Sequence, residues 1–259
     1  MTVTTTITEA LATITLARPQ AHNALDVATK TAFVEAVIAV AADPSVRTVL
    51  LLADGKNFCV GQDLGEHVAA LEADPATAMS TVDEHYNPLI RALASIPVPV
   101  VVAVKGACVG AGLGIALTGD IRIVGEHTTF GTAFTGIGLA SDSGLSHTLV
   151  SMLGPSRAAG LMLLGDKVSA QQAAEWGLVH RVVPDGEVDS TARELALRLA
   201  SGPTAAYSRV KSLIKASSQG LYEALDREAA AQCALGATVD HKAAVSAFLA
   251  KEKPVFVGR

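Results

Sequence analysis

The chain has 259 residues, half of them apolar and only 17% charged, which excludes a disordered chain and leaves material for a large buried core. Its net charge of −5 offers no basic footprint for nucleic acid, so an anionic ligand would need local positive charge or helix N-termini. Cys59, Cys108 and Cys233, two of them in apolar runs, make no disulfide framework and read as buried thiols of a reducing compartment. With no basic segment followed by an apolar block at the N-terminus, a cytoplasmic protein is expected.

Ala12 to Leu16 alternates as a strand until Arg18-Pro19 breaks it, and Asp26 is placed to cap a helix over Val27 to Ala42. Val46 to Ala53 is a continuous apolar run of strand length, followed by Phe58 to Leu64, a strand end with Gly61 just before a helical start. Helices are expected over Leu64 to Ala73 and Met79 to Ala94, with the small polar stretch Asp74 to Thr77 between them as a candidate lid. Val98 to Val104 and Ile121 to Val124 read as strands around a glycine-dense turn and short helix, Lys105 to Gly119. Pro97, Pro99, Lys105 and the glycines argue against a membrane span there. Phe130 to Ser141 reads as a loop, and Ser143 to Leu153 and Ser156 to Leu164 as helices. Ser169 caps a further helix, and Leu178 to Val183 is the last strand.

Beyond it lie helices over Val188 to Ala200, Pro203 to Ser217, Leu221 to Leu235 and Val239 to Ala250. The order predicts an α/β body over residues 1–200 and a helical region over 201–259.

Several chemistries are weak on spacing alone. The seven histidines are scattered and no cysteine pair has zinc spacing, so no metal site is expected. The glycines at 110, 112 and 114 do not fit a dinucleotide fingerprint, and no phosphate loop for ATP is present. Asp142, Ser143, Ser146 and His147 lie close together but without the nucleophile elbow of a serine hydrolase. Two places remain where a backbone N–H follows a strand at a glycine, Gly61-Gln62 and Gly110-Ala111. Converging on one carbonyl oxygen, they would form an oxyanion hole, though sequence alone does not show convergence.

The segments Arg18 to Leu25, Phe58 to Asp63 and Gly106 to Gly112 resemble the N-terminal motifs of the enoyl-CoA hydratase/isomerase (crotonase) family. Asp120, Phe130-Gly131, Leu164 to Ala170, Ala174 to Leu178 and Ala247 to Pro254 continue the resemblance. It implies a spiral of ββα units with a C-terminal helical trimerisation region, assembling as a homotrimer or a hexamer. It also implies a coenzyme A thioester as substrate, with no permanently bound cofactor, and a carbonyl held by the N–H groups of Gln62 and Ala111. Coenzyme A would lie along Asn23, Ala24 and Leu25 and along the segment containing Lys56, Val60 and Asp63. Phe248 and Lys251 match tail positions that reach the ligand of a neighbouring subunit.

The departures bear on the reaction. One glutamate of the family's hydratases falls at Gly114 here, an empty catalytic position, and the other falls at Phe134. Water addition needs an acid/base pair, and neither carboxylate is present. Ile137 to Gly144 instead resembles the PaaG-like isomerase branch, with Asp142 as a single carboxylate that could shuttle a proton. This points to an enoyl-CoA isomerase, by double-bond shift or ring isomerisation in phenylacetate degradation. A diverged hydratase or thioester hydrolase and a non-catalytic acyl-CoA-binding scaffold remain as alternatives, and Asp142 could equally cap the helix that follows it.

Overall fold

The computed structural model describes residues 1–216 and 221–259. Strands β1 (Val3–Thr8) and β2 (Leu11–Leu16) form an antiparallel hairpin with Glu9 and Ala10 at positive φ in its turn. The sequence reading misses β1. Its turn holds no Gly, Asn or Asp to signal a hairpin, and its exposed threonines give no apolar alternation. The chain continues through α1 (Val27–Ala42), β3 (Thr48–Ala53), α2 (Leu64–Ala73) and a π-helical stretch, Val82–Tyr86, that runs into α3 (Asn87–Ser95). Asp26 caps α1 as expected, its Oδ1 accepting from Thr29 N at 2.8 Å.

β4 (Val100–Val104), β5 (Ala107–Val109), α4 (Ala111–Thr118), β6 (Ile121–Gly125) and β7 (Thr129–Gly131) follow. After them come α5 (Leu145–Leu153), α6 (Pro155–Leu164), β8 (Val168–Ser169), α7 (Ala170–Glu175) and β9 (Arg181–Val183). Ser169 caps α7 as expected, its Oγ accepting from Gln172 N at 3.2 Å. Four helices finish the chain: α8 (Val188–Ala200), α9 (Thr204–Lys215), α10 (Leu221–Gly236) and α11 (Val239–Ala250). Pro203 precedes α9 as its cap residue instead of opening its first turn, and the expected end at Ser217 lies outside the described residues. Cys59 and Cys108 are buried, but Cys233 is exposed on α10, which corrects the expectation of buried thiols for that residue.

The large sheet has the order β1-β2-β3-β4-β6-β9 and is parallel except for the first pair. A small sheet, β5-β7-β8, is extended by parallel bridges between Cys59 and Cys108 and between Leu25 and Gln62. The chain thus sends a strand to the large sheet, a short strand to the small one, then a helix, and repeats: a ββα spiral. Residues of β4 alternate between two apolar layers. Val100, Val102 and Val104 face the main core with Phe33, Phe58 and Leu89, while Val101 and Ala103 face Val188, Ala192 and Ala196 of α8. Burial on both faces is why β4 reads as an unbroken apolar run.

Candidate active site

Parallel register brings the two candidate donor peptides together. Phe58 N donates to Lys105 O at 2.7 Å, Cys59 N to Ala107 O at 3.2 Å and Val109 N to Cys59 O at 3.0 Å. Three residues on from the bridged pair Cys59 and Cys108 stand Gln62 and Ala111, so both peptides leave the small sheet at the same level. The approach is close: a Cβ on Gly61 would stand 3.5 Å from Ala111 N and 3.2 Å from Val109 O. Gly110, with φ +58° and ψ −129°, takes a conformation that only glycine adopts without strain.

Leu25 occupies the far side of this strip, donating to Gly61 O at 2.8 Å and accepting from Asp63 N at 3.1 Å. That leaves the Gln62 N–H without an acceptor among the described residues, and the Ala111 N–H, in the first turn of α4, is likewise unused. Gln62 and Ala111 line one cleft.

Asp142 lines the same cleft, whose apolar lining includes Leu64, Met79, Phe134, Ile137 and Leu139. It is the one carboxylate among the described residues lining it. Its Oδ1 and the Ser143 Oγ are buried without a hydrogen-bond partner. Burial pushes the Asp142 carboxyl above its ordinary range, partly offset by the adjoining Ser143 and by the charge of Lys30.

One expectation changes here. The helix-cap role of Asp142 fails: α5 starts after Gly144, no side chain caps it, and only the Asp142 carbonyl is engaged, accepting from Leu145 N at 3.1 Å. At Gly114 the catalytic carboxylate is absent, and the space beside it is taken by another segment. A Cβ there would stand 2.5 Å from Ser143 Cβ and 2.7 Å from Ser143 O, so the segment carrying Asp142 fills that space. Ser143 itself sits at φ +51°, which turns the chain inward at this point. Ser146 and His147 are exposed and do not line the cleft, so the residues of the serine-hydrolase arrangement set aside on spacing are not brought together there.

Behind Gln62 lies a polar cluster that spacing did not reveal. The Lys30 side chain is fully buried, and its Nζ reaches Gln62 Oε1 at 3.1 Å, Glu66 Oε1 at 3.0 Å and Thr81 Oγ1 at 2.6 Å. Tyr86 Oη donates to Gln62 Oε1 at 2.6 Å, and Gln62 Nε2 donates to Glu66 Oε1 at 2.8 Å. Burial, then the neighbouring Asp142, raises the Tyr86 hydroxyl pKa, so it stays a donor. Lys30 stands three residues before Phe33 and seven before Val37, on the buried stripe of α1, but a lysine is by default taken as solvated, which is why the cluster is not read from the sequence.

The expected coenzyme A residues divide. Val60 lines the cleft and Lys56 is exposed. Asn23 is buried, with Nδ2 donating to Asp54 O and Asn57 O at 2.9 Å each and Oδ1 accepting from Arg18 N at 2.9 Å. The Ala24 carbonyl accepts from Arg18 Nη1 at 2.8 Å, and Leu25 is wholly buried. Asp63 caps α2 through Glu66 N at 3.1 Å and pairs with Arg18 at 2.7 Å, which holds its carboxyl below the usual range. These groups lock the loop under the donor strip. Phe248 and Lys251 lie at the exposed end of α11 and do not line the cleft. The candidate lid, Asp74 to Thr77, is an exposed turn closed by Asp74, and the cleft wall begins at Met79 beyond it.

A family model described as enoyl-CoA hydratase/isomerase matches residues 6–259. The 1,2-epoxyphenylacetyl-CoA isomerase of Escherichia coli K12 is 40% identical over 249 residues, covering 95% of each chain. A probable enoyl-CoA hydratase of Rhodobacter capsulatus is 39% identical over 98% of this chain and 96% of its own. A crystal structure from Mycobacterium abscessus, described as a putative enoyl-CoA hydratase/isomerase, superposes with a TM-score of 0.98 at 57% identity, over 99% of this chain and 100% of that one.

Proposed function

The chain belongs to the enoyl-CoA hydratase/isomerase (crotonase) family, and we propose that it is an acyl-CoA isomerase in which Asp142 carries the proton. In a 3-enoyl-CoA, the thioester oxygen accepts from the Gln62 and Ala111 N–H groups. The Asp142 carboxylate removes a proton from the carbon between the carbonyl and the double bond. The electron pair moves onto the thioester oxygen as a dienolate, which both N–H groups stabilise because their charge partner exists only at that stage. Asp142 then returns the proton to the far carbon of the former double bond, giving the 2-enoyl-CoA. Burial raises its pKa, the direction that suits a carboxylate that must give the proton back as well as take it.

The observation that carries this reading is the single carboxylate among the described residues lining the cleft, beside apolar Phe134 and a Gly114 closed off by Ser143. Hydration needs a second acid/base group for water, and among the described residues no second carboxylate lines the cleft. The same proton shuttle serves ring-opened aromatic epoxides, an extension supported by the 40% identity to the 1,2-epoxyphenylacetyl-CoA isomerase. We assign Phe248 and Lys251 to the ligand of a neighbouring copy in a trimer or hexamer, a reading supported by their exposure in the single chain. The substrate brings coenzyme A with it, and no resident cofactor enters the scheme.

The test is Asp142→Asn. Double-bond migration should fall by about 10²–10⁴-fold, the ordinary weight of a positioned acid/base group, while acyl-CoA binding is retained. Unchanged migration would overturn the assignment.

A further inference from the structure

A fully buried lysine under an oxyanion peptide is an unusual use of charge. Lys30 has no exposed side-chain surface, and Glu66, its ion-pair partner, is 28% exposed. An ammonium in such a place is retained only when its protons are all placed, and here each has a partner on a different element. Gln62 follows the small sheet, Glu66 lies on α2 and Thr81 stands before the π-helical stretch. The Lys30 ammonium also sits 5.1 Å from the centre of the Tyr86 ring. Gln62 is consequently held at three points, by Lys30 and Tyr86 on its Oε1 and by Glu66 on its Nε2. Its side chain has no freedom left, and the peptide that carries the candidate donor is fixed with it.

Resting on the reading of Gln62 and Ala111 as oxyanion donors, we propose that Lys30 is the positioning residue of this site. It clamps Gln62 so that its N–H stays aimed into the cleft, and its enclosed positive charge favours the developing enolate. Because Lys30 also ties α2 to the Thr81–Tyr86 wall, it sets the spacing of two sides of the acyl-binding cleft. The cleft wall lines up Thr81, Tyr86 and His67 on these same elements.

The charge reaches Asp142 too. Lys30 from α1 and the adjoining Ser143 act on Asp142, and His67 from α2 and Tyr86 from the π-helical stretch line the cleft with it. Of the charged groups, Lys30 favours its ionised form. Removing that charge while keeping hydrogen bonding therefore raises the Asp142 pKa further, and base catalysis then begins at higher pH.

Three variants separate clamp from charge. Lys30→Gln keeps a polar group and loses the charge, Lys30→Arg keeps the charge, and Tyr86→Phe removes one neutral clamp. The probe is hexadienoyl-CoA, whose conjugated thioester absorbs further to the red when its carbonyl is polarised. Wild-type protein should shift the bound probe. Lys30→Gln should lose most of the shift, lower kcat for 3-enoyl-CoA by about 10–100-fold with KM changed less than about threefold, and move the acid limb of the kcat profile to higher pH. Lys30→Arg should recover part of each, and Tyr86→Phe should lower kcat without moving the limb. Folded Lys30→Gln with wild-type shift, kcat and pH profile overturns the role of Lys30 and leaves the oxyanion reading standing. A wild-type protein that binds the probe without any shift overturns the oxyanion reading and the Lys30 role with it. If Lys30→Gln does not fold, wild-type probe shift and kcat in Tyr86→Phe overturn the clamp.

Discussion

The two sides of the cleft are built on opposite terms. On one side, Phe58 to Gln62 and Lys105 to Ala111 run in parallel register, tied by Phe58 N to Lys105 O, Cys59 N to Ala107 O and Val109 N to Cys59 O, while the Gln62 and Ala111 N–H groups have no acceptor among the described residues. On the other, residues 133 to 144 make no ladder. Ala133, Gly138, Ser143 and Gly144 all sit at positive φ, and Asp142 Oδ1 and Ser143 Oγ are buried without partners. On the proposed reading, the ordered strip polarises the thioester carbonyl and the segment with positive φ brings in the carboxylate that selects what happens next. The two meet at Gly114, where Ser143 packs against α4.

Perturbing the ordered side should have the largest effect. Gly110→Ala places a Cβ on a backbone at φ +58° and ψ −129°, and should turn the Ala111 N–H away from the cleft. A loss of about 10²–10³-fold in kcat is expected, comparable to removing one oxyanion donor, measured by steady-state turnover of 3-enoyl-CoA. Gly114→Ala strikes the junction, since its Cβ would meet the Ser143 backbone. It should destabilise by about 1–3 kcal/mol in denaturant unfolding and lower kcat by displacing Asp142, with acyl-CoA affinity nearly kept. An equal loss of binding would show that the two sides are not separable.

The smallest effect concerns stability alone. The Asp142 carboxyl has a raised pKa in the folded chain, so its contribution to stability is present while it is protonated, below the ordinary carboxylate range. That contribution is lost as pH rises through its folded pKa. Asp142→Asn is neutral throughout and should raise Tm at neutral pH by about 2–4 °C, what about 1 kcal/mol gives in a chain of this length, with the gain vanishing in acid. A Tm gain that persists in acid would assign the effect to packing instead of charge.

The ordered side was largely legible in the sequence. Apolar runs, glycines at strand ends and the Asp26 cap marked α1, β3, β4 and the two donor peptides, though only the register of Cys59 with Cys108 shows that they meet. The other side was not, for physical reasons. Positive φ at Ala133 and Ser143 carries no residue signature, unlike glycine, so the inward turn at Asp142 was invisible. The meaning of Gly114 depends on what packs against it, and a sequence names the residue without its neighbour. Lys30 was missed because a lysine on a helix is ordinarily solvated, and its burial follows from three partners that are 32, 36 and 51 residues away.

The central claim is that the cleft moves a proton and does not add water. Its most direct test is to incubate the wild-type protein with 3-hexenoyl-CoA and with crotonyl-CoA and to follow the products by mass. The account predicts 2-hexenoyl-CoA, unchanged in mass, from the first, and no 3-hydroxybutyryl-CoA from the second at a comparable rate. Formation of the water adduct from crotonyl-CoA as fast as, or faster than, double-bond migration would contradict it.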